Sequence, residues 1–242
     1  MSMKNQTKTE KSSLIGRKVY SPALLDKFGR TFDYLRIAVN EKCNLRCIYC
    51  MPEKGVPFKP ENKLLNTLEI TRLVKIAASL GVKKVRFTGG EPLLRKDITE
   101  LIQAAAGTPG IRSVHLTTNG IFLESAISEL QEAGLTGVNI SLDTLNPERF
   151  KKITRRNGLA QVMAGLDAAL ATGSLVTKLN VVAMRNFNED ELDRFAGLTK
   201  DHEIVVRFIE LMPFDSQQIW KTGKFYGVDQ IISDLHQAFP HL

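Results

Sequence analysis

The sequence predicts an α/β fold in which a parallel sheet curves into an incomplete barrel, and three observations predict it. Strand-like and helix-like runs alternate along the chain, which means βαβ crossovers and parallel pairing. Six strands within 35–209 take 175 residues, about 29 per unit, whereas eight units would need about 250. Within the strands, large apolar residues alternate with polar ones. Helices on both faces of an open sheet would make the strands apolar on both sides, so one wall of this sheet faces a wet interior.

Each element has a local signal. Leu35-Arg36-Ile37-Ala38-Val39 is the first strand, with Arg36 and Ala38 on the polar face. The run 67–80 carries Leu68, Leu73, Ile76, Ala77 and Leu80 at helical spacing and stops at Gly81. The second strand, 82–87, sets Val85 and Phe87 against Arg86 and Thr88; the turn Gly89-Gly90-Glu91-Pro92 and a helix over 97–106 follow. The third strand, 112–116, leads into Thr117-Thr118-Asn119-Gly120 and a helix over 124–133 ended by Gly134. In the fourth, 137–142, Val138, Ile140 and Leu142 alternate with Asn139, Ser141 and Asp143. Asn146-Pro147 opens a short helix, with proline at its first position, and a longer helix covers 159–172. The fifth strand, 175–183, sets Leu179 and Val181 against Lys178 and Asn180, and a helix over 189–199 follows. The sixth, 203–209, puts Arg207 opposite Val206 and Phe208, ahead of a last helix over 227–239. The polar face thus collects Arg36, Arg86, Lys178 and Arg207. Any one of them reads equally as a strand-end cation in solvent. Four together argue for an anionic ligand.

Composition narrows the class. The chain is 43% hydrophobic and 24% charged, which excludes a disordered or collagen-like polymer. It has no apolar run near the roughly 20 residues of a membrane span, and a start too polar for a secretory signal, so a cytoplasmic protein is expected. Net charge is +7. Residues 1–18 hold five bases and one acid and are expected to be a disordered basic tail, leaving a body at +3 with no call for nucleic acid or membrane.

The three cysteines all lie in Cys43-Asn44-Leu45-Arg46-Cys47-Ile48-Tyr49-Cys50, and none follows. A structural zinc site wants four ligands, and no histidine is near in sequence. Three thiols in a reducing compartment are poorly suited to disulfides. Three thiolates on one short loop suit a [4Fe-4S] cube with one iron free of protein ligands; zinc or unpaired thiols remain the alternatives.

On these residues the chain resembles the radical S-adenosylmethionine enzymes: Cys43-x3-Cys47-x2-Cys50 with Tyr49 before the third cysteine, then Gly89-Gly90-Glu91-Pro92 after the second strand. Alone, the glycine segment would read equally as a turn. The resemblance implies a partial (β/α)6 TIM-like barrel with the cluster loop after the first strand. It also implies an open iron that chelates S-adenosylmethionine, whose reductive cleavage yields a radical. Val85-Arg86-Phe87-Thr88, Leu116-Thr117-Thr118-Asn119-Gly120, Val138-Asn139-Ile140-Ser141, Lys178-Leu179-Asn180 and Arg207-Phe208-Ile209-Glu210-Leu211-Met212-Pro213 narrow it to the GTP 3′,8-cyclase branch of molybdenum cofactor synthesis.

The resemblance implies roles. Cys43, Cys47 and Cys50 would hold the cluster; Tyr49, Gly90, Ser141 and Met212 would meet S-adenosylmethionine; Arg36, Arg86, Thr117 and Lys178 would bind GTP. Arg207 is left as a charge-balancing candidate. Without the resemblance, Thr117 reads equally as a strand cap and Ser141 as a backbone bond. A reducing electron donor is implied, with the next enzyme of molybdopterin synthesis as functional partner and room for a homodimer. Members of this branch continue past the point where this sequence stops, with three more cysteines for a second cluster. The expected organisation is a core barrel over 19–242 without that region, as a fragment, a truncated product or a homologue of changed task. Two other readings stay open: a single-cluster activase-like enzyme with another substrate, and a non-catalytic relic that binds nucleotide or a partner.

Overall fold

A computed structural model describes residues 24–212 and 223–241; the expected basic tail lies outside them. Six strands, β1 (Tyr34–Ala38), β2 (Lys84–Thr88), β3 (Ser113–Thr118), β4 (Gly137–Ser141), β5 (Val176–Ala183) and β6 (Ile204–Glu210), pair in parallel in the order in which they occur in the chain. A doubly wound sheet reverses its order at a switch point. Here nothing reverses, so right-handed crossovers put every helix on one side. The result is the open partial barrel that the alternation predicts.

The α-helices of the described residues are α1 (Thr67–Ser79), α2 (Ile98–Ala106), α3 (Leu123–Glu132), α4 (Pro147–Thr154), α5 (Leu159–Ala171), α6 (Leu192–Asp201) and α7 (Val228–Ala238). Local chemistry sets their ends. Asn66 and Glu69 form a capping box at α1, and Gly81 takes φ +96° just past its end. Asn146 caps α4, its Oδ1 accepting from the backbone N–H of Glu148 and Arg149, with Pro147 at the first position.

The helix expected over 189–199 is partly different: Glu189–Glu191 is a 3₁₀ turn, and α6 starts at Leu192. The buried Glu191 carboxylate explains it. It accepts from Thr144 Oγ1, Leu145 N and Arg149 Nη1 at 2.6–2.7 Å, and that reach distorts the first turn. Glu91, just after β2, plays the same part, accepting from Thr118 Oγ1 and Asn119 N at 2.7 Å. In both places the threonine hydroxyl also accepts from the amide two residues on, Gly120 and Asn146 respectively. One buried carboxylate thus closes the loop after β3, and another the loop after β4.

The core lies between sheet and helices. Val85, Phe87, Leu116, Val138, Ile140, Leu179 and Val181 all point outward into it and are fully buried. Each such side chain contributes about 1.5–3 kcal/mol, which fixes the face of every strand. The opposite wall is set by register: Arg36 pairs with Arg86, Arg86 with His115, Asn139 with Lys178 and Asn180 with Arg207. The four cations therefore share the inner wall, as the alternation predicts.

Candidate active site

The cysteine loop follows β1 and is tied down from two sides. Arg46 N and Ile48 N donate to the carbonyls of Thr154 and Ile153 at 2.9 Å. Arg155, in the left-handed region at φ 56°, donates from Nη1 to the carbonyls of Arg46 and Met51. The end of α4 thus clamps the loop. Arg155→Ala is expected to leave the fold intact and to raise the rate at which a chelator strips iron from a reconstituted loop by about tenfold, the effect of losing one to two kcal/mol of charge-assisted bonding; iron release followed by absorbance checks it.

From the other side comes the glycine turn. Gly90 N donates to Asn40 O and Glu91 N to Lys42 O. A Cβ on Gly90 would sit 2.3 Å from the Lys42 carbonyl oxygen, and one on Gly89 2.4 Å from that of Asn40. The two glycines are therefore required by the approach of two backbones. Asn119 completes the brace: its Nδ2 donates to Asn44 Oδ1 at 2.7 Å and lies 3.8 Å from Cys43 Sγ.

Burial pushes the thiols of Cys43, Cys47 and Cys50 above their ordinary range, and for Cys47 the charges of Asp143 and the other two cysteines add to it. Three thiolates in this space need a cationic partner. Among the described residues no three His, Cys, Asp or Glu side chains converge on a point that would hold a single metal ion. A cluster would ask each thiolate for a different iron, a demand that three cysteines on one loop fit.

Tyr49 is fixed by its hydroxyl, which donates to Asp143 Oδ2 at 2.6 Å; Val182 N donates to the other oxygen. Burial lifts the Asp143 carboxyl to about 6. Asn188 locks the same corner, donating from Nδ2 to the carbonyls of Asp143 and Val182. Ser141 is exposed at the end of β4 and Met212 just past β6, so both lie at the strand ends that carry the cysteine loop. Thr117 is on the inner wall. Thr118, not Thr117, caps the strand, and the side chains of Thr117 and Ser141 make no hydrogen bond among the described residues.

Along the inner wall, buried polar atoms lack partners: Arg86 Nε, Arg207 Nε and Nη2, Asn180 Oδ1, His115 Nδ1 and both amide atoms of Asn139. Native interiors keep such atoms paired, so this wall has polar capacity left for a ligand or for water. No carboxylate forms an ion pair with Arg36, Arg86, Lys178 or Arg207 among the described residues. Instead the Tyr34 ring lies 5.5–5.9 Å from Arg36, Arg86 and Lys84, a weak substitute for an anion. Burial lowers the proton affinity of both Lys84 and Arg86, and like charges lower it further: Arg86, Lys178 and Arg207 for Lys84, Arg207 and Arg36 for Arg86.

Sequence reading missed several of these groups. Lys84 had a signal, since it shares the parity of Arg86. Asn119 and Asp143 stood in a motif and on a polar strand face, but their partners, like those of Glu191 and Arg155, are distant in the chain and left no local signal.

The Radical SAM superfamily model matches residues 37–199. The chain is similar to the GTP 3′,8-cyclase of Chlorobaculum tepidum, 50% identical over 219 residues that make 90% of this chain and 66% of that protein. It is also similar to the mouse Molybdenum cofactor biosynthesis protein 1, 47% identical over 92% of this chain and 35% of that protein. The chain therefore spans just under two thirds of the first relative's length and about a third of the second's. Methylornithine synthase superposes with a TM-score of 0.65 at 17% identity over 87% of this chain and 63% of that one, a likeness of fold.

Proposed function

The chain belongs to the radical SAM superfamily, and from that premise we propose that it acts as a GTP 3′,8-cyclase. The reaction would convert GTP to (8S)-3′,8-cyclo-7,8-dihydroguanosine 5′-triphosphate, at the start of molybdenum cofactor synthesis. The observation that carries this reading is one wall with two ends: a braced three-cysteine loop at the strand termini, and unpaired cations with orphaned polar atoms behind it. Relatives that are 45–50% identical and named for that reaction support it.

When bound, one [4Fe-4S] cluster and S-adenosylmethionine supply the radical chemistry. The protein's own groups do the rest. Cys43, Cys47 and Cys50 would each hold one iron. Tyr49, Gly90, Ser141 and Met212 would seat S-adenosylmethionine at the strand ends. Arg36, Arg86, Thr117 and Lys178 would hold GTP, the arginines offering planar forks to phosphate oxygens. Arg207 would balance charge beside them. The core unit would cover 19–242 and work in the cytoplasm, as a monomer or homodimer, taking its electron from a reducing donor and passing its product to the next enzyme of molybdopterin synthesis.

Anaerobic reconstitution with iron and sulfide tests this. One cluster per chain is expected, with reductant-dependent formation of 5′-deoxyadenosine that GTP accelerates and that Cys47→Ala abolishes. A loaded cluster without S-adenosylmethionine cleavage would overturn the enzymatic reading. Cleavage indifferent to GTP would overturn the substrate.

A further inference from the structure

His115 is not among the residues given a role above, yet it occupies an unusual place. It stands on the inner wall between Arg86 on β2 and Gly137 on β4. His115 is 4% exposed, and its Nδ1 is buried with no partner. A Cβ on Gly137 would come within 2.5 Å of Cε1 and 2.6 Å of Nδ1. The Cε1–Nδ1 edge of the ring therefore occupies space beside Gly137 that a side chain on β4 would take away. The charged groups that act on it all carry the same sign: Lys84 and Arg86 from β2, Lys178 from β5 and Arg207 from β6. Arg36 stands beyond Arg86 on β1, β4 contributes the neutral Asn139, and Asp33, ahead of β1, acts on Lys84.

A buried, unpartnered imidazole facing four cations is a poor device for holding a fold together. It suits a site that expects a polyanion. We propose that His115 is the proton-taking member of the phosphate site. Phosphate groups seated among Lys84, Arg86, Lys178 and Arg207 draw a proton from solvent onto the imidazole, and the imidazolium donates a hydrogen bond to a phosphate oxygen. The inference rests on the triphosphate reading above and adds a residue and a proton to it.

Burial and the four cations hold the free imidazole down at about 4. In the free protein it is neutral at pH 7. Phosphate charge reverses the local field, so the proton affinity rises on binding. Between the two proton affinities, each unit fall in pH strengthens binding by up to about tenfold. The consequence is selectivity. A ligand with a charged phosphate chain gains from the proton, and a nucleoside without phosphates does not.

Calorimetry on the cluster-loaded chain tests it, with tripolyphosphate, GTP and guanosine as ligands at pH 6 and pH 8 in buffers of different ionisation heat. Tripolyphosphate and GTP are expected to bring about one more proton to the wild type than to His115→Gln at pH 6. Their affinity should gain about tenfold more, between pH 8 and pH 6, in the wild type than in the variant. The terminal phosphate titrates in both proteins and cancels from the difference. Guanosine is expected to bring no extra proton. Should the variant fail to fold, the ring of His115 followed by NMR in the wild type with tripolyphosphate gives the same answer, titrating about three units above its free value. Equal proton uptake, or a ring that still titrates near its free value in the complex, overturns the role of His115 alone. Failure of tripolyphosphate to bind the wild type at all overturns the triphosphate site and this inference together.

Discussion

Lys178→Met is expected to weaken GTP and tripolyphosphate binding by about ten- to a hundredfold while leaving the melting temperature of the ligand-free protein unchanged or slightly raised. Lys178 has no carboxylate partner among the described residues, and it acts on Lys84 and His115 as an unfavourable like charge. Removing it costs the free protein no ion pair and relieves repulsion. Methionine keeps most of the stem, so packing along β5 changes little. In the complex the loss is that of a charge-assisted hydrogen bond, about 1.5–3 kcal/mol, hence the expected range. Calorimetry and thermal unfolding measured side by side decide the matter. Unchanged affinity, or a fall in melting temperature that tracks the fall in affinity, would make Lys178 a structural residue. Stability and affinity moving in opposite directions are the mark of a site built at the expense of the fold.

Glu91→Gln is the second. Glu91 is fully buried and accepts from Thr118 Oγ1, Asn119 N and Leu93 N at 2.7–3.0 Å. Its backbone carbonyl accepts from Asn40 Nδ2. Glutamine keeps one acceptor oxygen and turns an NH2 group toward a donor. At about 1–3 kcal/mol for each orphaned group, the expected loss is about 3 kcal/mol, or roughly 6–12 °C in a chain of this size. The loss also has a direction. Asn119 is the residue that links Glu91 to Asn44 and Cys43, so the cysteine loop loosens with it. Below the new melting temperature the variant is expected to retain less than half a cluster per chain after gel filtration. A variant that melts as predicted yet keeps a full cluster would break the link from Glu91 to the cysteines.

The acidic side of pH has its own signature. His115 ordinarily titrates near 6.5, and in the fold it stays neutral down to about 4. Between those values the unfolded chain binds a proton that the folded chain refuses. The contribution of this group to stability is thus present above pH 6.5 and is lost as pH falls toward 4. A polyphosphate, by raising the proton affinity of the folded form, is expected to remove that loss.

How much of this could be read in advance follows from the range of each signal. Helical periodicity places α1 and α5 within a residue of their observed ends, because it is local. Alternation puts Arg36, Arg86, Lys178 and Arg207 on one wall, because a strand flips its side chains every residue whatever surrounds it. The cysteine spacing is complete within eight residues. What escapes is contact between distant segments. Tyr49 meets Asp143 across 94 residues, Arg155 reaches Arg46 across 109, and Glu91 meets Asn119 across 28. Glu191 reaching back to Thr144 across 47 turns the start of an expected helix into a 3₁₀ turn.

The six-unit sheet, its two faces and the three-cysteine loop are legible along the chain, since each is written in a repeat or a spacing a few residues long. How that loop is braced, why Gly89 and Gly90 have no room for a side chain, and that a histidine sits among cations with no carboxylate paired to them among the described residues, emerge from the folded chain alone. Those facts depend on where one strand end meets the next, and chain periodicity carries no record of that.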